Sequence, residues 1–130
     1  MLNRADGGGA EGGAVWSAAD SLQAINVTFE QNSAIAQGTD ESALGGALFQ
    51  EGLSATLEGC SITNNLVRIA REASRASGGA VHCSTGASAG LVGCTLQGNA
   101  AGGKGKFQSQ PSMRRHRYLA SWDGSSGRCF

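Results

Sequence analysis

The feature that most constrains this chain is a tandem repeat of two short blocks that share one period. Gly-Gly-Ala followed by an aliphatic residue occurs at Gly12-Gly13-Ala14-Val15, Gly45-Gly46-Ala47-Leu48 and Gly78-Gly79-Ala80-Val81, 33 residues apart each time. A second block trails each copy: Asn26-Val27-Thr28-Phe29-Glu30-Gln31-Asn32, Gly59-Cys60-Ser61-Ile62-Thr63-Asn64-Asn65 and Gly93-Cys94-Thr95-Leu96-Gln97-Gly98-Asn99. Its closing Asn falls at 32, 65 and 99, spaced 33 and 34. In a chain so rich in Gly and Ala, one Gly-Gly-Ala carries no information. Two blocks in one order at one period specify a repeat architecture.

The repeat is built from strands. Val27-Thr28-Phe29 and Cys60-Ser61-Ile62 alternate apolar and polar residues, the period of a strand with one buried face. Gly, Asn, Ser and Asp punctuate the short runs. Helical repeats of this length need long amphipathic stretches, and only 66–77 has that look; the matching stretch after Asn32 holds Gly38, Thr39 and Asp40. With 21 Gly in 130 residues a helical bundle is excluded, since each interior Gly costs roughly 0.5–1 kcal/mol against Ala. One Pro and no strict third-residue Gly exclude collagen. Aromatic residues make up 5% of the chain, so its core consists of small side chains.

These properties predict an all-β fold, a short parallel β-helix of about three coils starting at 12, 45 and 78, with an irregular C-terminal tail. Equivalent residues of successive coils then stack about 4.8 Å apart. Val27, Cys60 and Cys94 are expected in one inward column, and Phe29, Ile62 and Leu96 in another. Asn32, Asn65 and Asn99 are expected as an amide ladder at a corner, where Asn tolerates a left-handed backbone. Gly12, Gly45 and Gly78 serve a neighbouring corner, and Ala14, Ala47 and Ala80 a narrow interior.

The expected organisation is a flexible N-terminal lead over 1–11, β-helix repeats over 12–107 and a basic, disordered tail over 108–130. Residues 33–44 and 66–77 read as loops leaving the stack, and Gly102-Gly103 as the start of a degenerate fourth coil. Charge marks the last boundary. Residues 1–100 carry four basic and nine acidic side chains, net −5; residues 101–130 carry six and one, net +5. The cluster Met113-Arg114-Arg115-His116-Arg117-Tyr118 is short and stands alone, so it reads as solvated tail rather than a nucleic-acid contact.

The two blocks resemble the repeats of the polymorphic outer membrane protein family, whose signature is GGA-aliphatic with F-x-x-N. Gly12-Gly13-Ala14-Val15 and Phe29-Glu30-Gln31-Asn32 match both parts; later copies replace Phe by Ile62 and Leu96. The resemblance spans about residues 12–99 and implies a right-handed parallel β-helix displayed at a cell surface and used in adhesion. The family's export signal and C-terminal membrane barrel have no counterpart in the sequence, which points to part of a longer protein. No run approaches the ~18–20 apolar residues of a membrane-spanning helix, and 1–10 lacks a secretory h-region.

Chemistry-bearing residues are few. Cys60 and Cys94 occupy equivalent positions within disulfide range, although a column of buried thiols accounts for both. Cys83 and Cys129 have no evident partner, and nothing has zinc-ligand spacing. His82 and Cys83 are neighbours on a strand and point to opposite faces, so they form no dyad; His82 aligns with Trp16 and Phe49. Glu30 aligns with Thr63 and Gln97, and Glu58 with Ile25 and Val92, so no acidic ladder forms. Asn26-Val27-Thr28 is a glycosylation triplet of the kind that arises by chance. The expectation is a non-catalytic structural or adhesive segment, extracellular or at a cell surface, with no cofactor and no nucleic acid. A host-surface or carbohydrate ligand would meet its loops, and exposed coil ends would favour self-association. The alternative is a remnant of a polysaccharide-active β-helix enzyme, which requires paired acids.

Overall fold

A computed structural model describes residues 3–7, 9–38, 42–70, 75–103 and 106–109. The chain opens with β1 (Arg4–Gly7). One turn of five strands follows: β2 (Ala10–Glu11), β3 (Val15–Ser17), β4 (Ser21–Ile25), β5 (Thr28–Glu30) and β6 (Ser33–Ala36). The second turn comprises β7 (Ser42–Leu44), β8 (Leu48–Gln50), β9 (Ser54–Glu58), β10 (Ser61–Thr63) and β11 (Leu66–Ile69). The third comprises β12 (Arg75–Ser77), β13 (Val81–Cys83), β14 (Ser88–Val92), β15 (Thr95–Gln97) and β16 (Ala100–Gly103), and β17 (Lys106–Ser109) ends the described chain. Equivalent strands pair in parallel to give five sheets, in the orders β1-β6-β11-β16, β2-β7-β12, β3-β8-β13, β4-β9-β14 and β5-β10-β15, and β17 joins the first of them antiparallel beside β16. The chain is a short parallel β-helix of three coils, all-β among the described residues, as the repeat predicted.

Left-handed residues form the corners. Gly12, Gly45 and Gly78 take φ of 61°, 66° and 67°, and a Cβ there would strike the backbone of Val15, Leu48 or Val81. Asn26, Gly59 and Gly93 form a second positive-φ column just before β5, β10 and β15; Gln31, Asn64 and Gly98 form a third just after them. Asn and Gly carry the lowest cost in this conformation.

The second glycine of each pair has a different duty. A Cβ on Gly13 would lie 2.7 Å from the Ser33 carbonyl carbon, and one on Gly79 would lie 2.6 Å from the Ala100 nitrogen. One on Gly46 would lie 3.0 Å from the Leu66 nitrogen and strike the Gly79 carbonyl. Each coil is therefore pinched where its Gly pair touches the strand that follows the closing Asn. The pinch divides the interior in two. The larger core holds Phe29, Leu48, Leu57, Cys60, Ile62 and Val81 among its buried residues; the smaller holds Ala36, Ala43, Val67 and Ile69.

Four expectations are corrected. Residues 4–7 and 10–11, read as a lead, are strands: Arg4-Ala5-Asp6-Gly7 lies in register with Ser33-Ala34-Ile35-Ala36, and Ala10 with Ala43. Pairing to the next coil overrides the entropy of the glycine run. Residues 33–44 and 66–77, read as loops, contain β6, β7, β11 and β12, whose inward Ala, Val and Ile side chains fill the smaller core. Gly102-Gly103 does not begin a fourth coil. Gly102 pairs with Arg68 inside β16, and β17 folds back antiparallel with Phe107 opposite Gly102. Residues 108–109, assigned to the tail, belong to β17; the rest of that assignment, 110–130, lies outside the described residues.

Candidate functional site

The Asn ladder is the most ordered polar feature of the interior. Asn32, Asn65 and Asn99 are buried. The backbone N–H of Asn32 donates to Asn65 Oδ1 at 3.0 Å and its Nδ2 donates to the same oxygen at 2.9 Å. Asn65 repeats both bonds onto Asn99 Oδ1 at 3.0 and 2.9 Å. The remaining amide protons turn the other way, Asn65 Nδ2 to the Phe29 carbonyl at 2.9 Å and Asn99 Nδ2 to the Ile62 carbonyl at 2.8 Å. A fourth rung, which the 33-residue period does not reveal, is Asn3, which donates from its backbone and Nδ2 to Asn32 Oδ1 at 3.2 Å.

Phe29, Ile62 and Leu96 lie in one file on the paired strands β5, β10 and β15. Val27, Cys60 and Cys94 lie in a second, joined by Ser61 N–H to the Val27 carbonyl (3.0 Å) and Thr95 N–H to the Cys60 carbonyl (2.8 Å). Only the middle member is fully enclosed: Cys60 is 1% exposed, Cys94 is half-buried and Val27 is 36% exposed. The thiols reach back one coil, Cys60 Sγ donating to the Ala24 carbonyl at 3.4 Å and Cys94 Sγ to the Leu57 carbonyl at 3.2 Å. Burial pushes the Cys94 thiol above its ordinary value.

Trp16, Phe49 and His82 occupy equivalent positions on β3, β8 and β13. Phe49 and His82 are buried and their rings stack at 5.4 Å and 20°, whereas Trp16 is 52% exposed. On the opposite face of the same strands, Gln50 lies between Ser17 and Cys83 and is wholly buried. Its Nε2 donates to the Ala19 carbonyl at 3.0 Å, while its Oε1 has no hydrogen-bond partner. This buried amide gave no signal in the sequence, because Ser17 and Cys83, its neighbours in the column, are not amides.

The two ends of the stack differ. Trp16, Ile25 and Val27, three of the five exposed large apolar residues found among the described residues, all sit on the first coil. There β2, β3, β4 and β5 have partners on one side only, and Val15, Leu22 and Ala24 are only half-buried. At the far end β17 covers the edge of β16, closing that sheet to further parallel growth.

Carboxylates stay apart in the columns. Glu30 is in register with Thr63, which pairs with Gln97; Glu58 is in register with Ile25 and Val92. Among the described residues no group of three His, Cys, Asp or Glu converges to hold a metal ion, and no helix is long and apolar enough to cross a membrane. The ion pair Arg4–Asp6 at 2.7 Å is exposed, and Gln37 donates from Nε2 to the other oxygen of Asp6. Comparison with protein-family models, with curated proteins and with solved structures yields no match.

Proposed function

We propose that the chain is a non-catalytic, structural or adhesive segment of a surface-displayed or secreted multi-repeat protein, extracellular or at a cell surface, with its coils stacked on further coils of the same kind. The observation that carries this reading is the open first coil. Its strand edges, its half-buried inward residues and its exposed Trp16, Ile25 and Val27 fit an additional coil laid against them. A single repeat cannot bury its own face, and few-coil stacks gain from each added neighbour. The sequence resemblance to polymorphic outer membrane protein repeats supports the same assignment and implies right-handed winding, the hand that parallel crossover connections favour.

A polysaccharide-active enzyme needs two acids held at a set separation. Glu30 and Glu58 instead share columns with uncharged partners. The deciding experiment immobilises the full chain and probes it with a glycan panel and with cultured cells, beside a depolymerisation assay on the same polysaccharides. Retention without bond cleavage is the expected outcome. Cleavage that disappears in Glu30→Gln or Glu58→Gln would replace the adhesive reading by the enzymatic one.

A further inference from the structure

Cys60 and Cys94 occupy equivalent positions on the second and third coils, one directly over the other. The residues just after them, Ser61 and Thr95, are direct partners in the β10–β15 ladder, and the Thr95 N–H is bonded to the Cys60 carbonyl. Their Cα atoms are therefore one parallel-strand spacing apart, about 4.8 Å, inside the ~4.4–6.8 Å span of disulfides. Both side chains face the larger core, and both are free thiols. We propose that Cys60 and Cys94 form a disulfide that staples the second coil to the third when the chain meets a small-molecule disulfide such as oxidised glutathione.

The chemistry follows from their unequal exposure. Half-buried Cys94 is reached first, while Cys60 is closed to solvent. The Cys94 thiol loses its proton, and its thiolate attacks one sulfur of the oxidant, breaking the sulfur–sulfur bond. One thiolate departs and takes up a proton, leaving a mixed disulfide on Cys94. Cys60 then loses its proton and attacks Cys94 Sγ, expelling the second thiolate, which is protonated in turn. Two protein thiols are oxidised and one disulfide is reduced to two thiols, so electrons and protons balance. Parallel neighbours hold their Cβ atoms somewhat further apart than a relaxed bridge prefers. The last fraction of an ångström is available because β15 pairs with β10 alone, so the outer strand can shift toward its neighbour. Each thiol gives up only a weak S–H bond to a carbonyl.

The reduced full chain is incubated with oxidised glutathione, quenched by alkylation, digested and sequenced by mass spectrometry, with thermal melting in parallel. The expected result is a Cys60–Cys94 linkage and a melting temperature raised by about 10 °C, both reversed by dithiothreitol. Cys60→Val, which copies the Val27 found one coil earlier, should stay folded, keep glutathione as a mixed disulfide on Cys94 and show no rise. The proposal falls if wild type accumulates only that mixed disulfide, if Cys60 links instead to Cys83 or Cys129, or if the linked species melts no higher than the reduced one. None of these outcomes bears on the adhesive reading, because the linkage is assayed on the isolated chain.

Discussion

Asn65→Ala removes the central rung of the amide ladder, and its cost can be worked from the bonds. The Asn65 side chain takes part in four: Oδ1 accepts from the backbone N–H and Nδ2 of Asn32, and Nδ2 donates to Asn99 Oδ1 and to the Phe29 carbonyl. Alanine leaves Asn99 Oδ1 with its bond from the Asn65 backbone, so that oxygen stays satisfied. It leaves two donors of Asn32 without an acceptor in a residue that is 2% exposed. Orphaned buried donors cost about 1–3 kcal/mol each, so the substitution should destabilise by about 4 kcal/mol. Asn3→Ala removes only a part-exposed bond at the end of the ladder and should cost about 1 kcal/mol or less. Urea denaturation followed by far-ultraviolet circular dichroism measures both. Equal costs for the two substitutions would refute the ladder as a source of stability. Asn65→Asp sharpens the test, since a carboxylate keeps the two acceptances but loses both donations. Burial without a counter-charge raises the Asp pKa above its unfolded value of about 3.9. The folded state then binds the extra proton, so the variant should be most stable below that pH and lose stability as pH rises through the folded pKa.

Gly46→Ala drives a Cβ into the Gly79 carbonyl at the pinch and should unfold the chain or lower its melting temperature by well over 10 °C, read by calorimetry. Gly59→Ala combines positive φ with a clash against the Asn26 side-chain oxygen, so it should cost more than Gly93→Ala, where no atom lies within 4 Å of the new Cβ. Burial raises the Cys94 pKa, so the folded state holds that proton when the unfolded chain has begun to lose it. Stability should be level below pH 9.0, the ordinary value, and decline as pH rises from there through the folded pKa; a chemical-denaturation series across that range checks it, and Cys94→Ser should flatten the decline. Trp16→Ser should lower self-association in sedimentation without lowering the melting temperature, because Trp16 is mostly exposed at the open end.

The columns could be read from the sequence because stacking turns a period into a contact. Once Gly12, Gly45 and Gly78 were aligned, Phe29 had to meet Ile62, and Asn32 had to meet Asn65. What could not be read was any turn whose spacing departs from the period. Asn3 stands only 9 residues before Gly12, whereas Asn32 and Asn65 stand 13 before Gly45 and Gly78, so the first rung escaped the pattern. Its trace was in the side chains that follow, since Ala5, Ala34, Val67 and Ala101 form one file two residues beyond each Asn. Strands β6, β7, β11 and β12 leave no strand signature in the sequence for a different reason. Their inward residues are mostly Ala, with Val67 and Ile69, in a very small core, and Leu66 to Ser77 also satisfies a helical period. Register settles the matter, because Leu66-Val67-Arg68-Ile69 matches Ser33-Ala34-Ile35-Ala36 across a ladder that a single strand does not reveal.

The pinch explains why the two sequence blocks travel together. The Gly pair opens the arc around the larger core and the closing Asn ends it. The two ends meet where Gly13, Gly46 and Gly79 touch Ser33, Leu66 and Ala100. An arc that must close on itself over a packed interior has little freedom in length: it runs 20 residues from Gly12 to Asn32 and from Gly45 to Asn65, and 21 from Gly78 to Asn99. The extra residue is absorbed between β13 and β14, at a turn where Gly86 takes φ of 88° with open space around it and Ala87 N–H bonds back to the Ser84 carbonyl. The other arc, from Asn to the next Gly pair, encloses only the small core and varies by four residues between the first turn and the next two. Changes of length and side chain are least costly on that lobe. On the proposed adhesive reading, sequence diversity that serves binding would fall on the segments joining β6 to β7 and β11 to β12. Exchanging residues 70–74 for a Gly-Ser linker of equal length should leave the melting temperature within a few degrees while removing whatever ligand retention the chain shows. A collapse of stability instead would mean that this lobe is part of the scaffold.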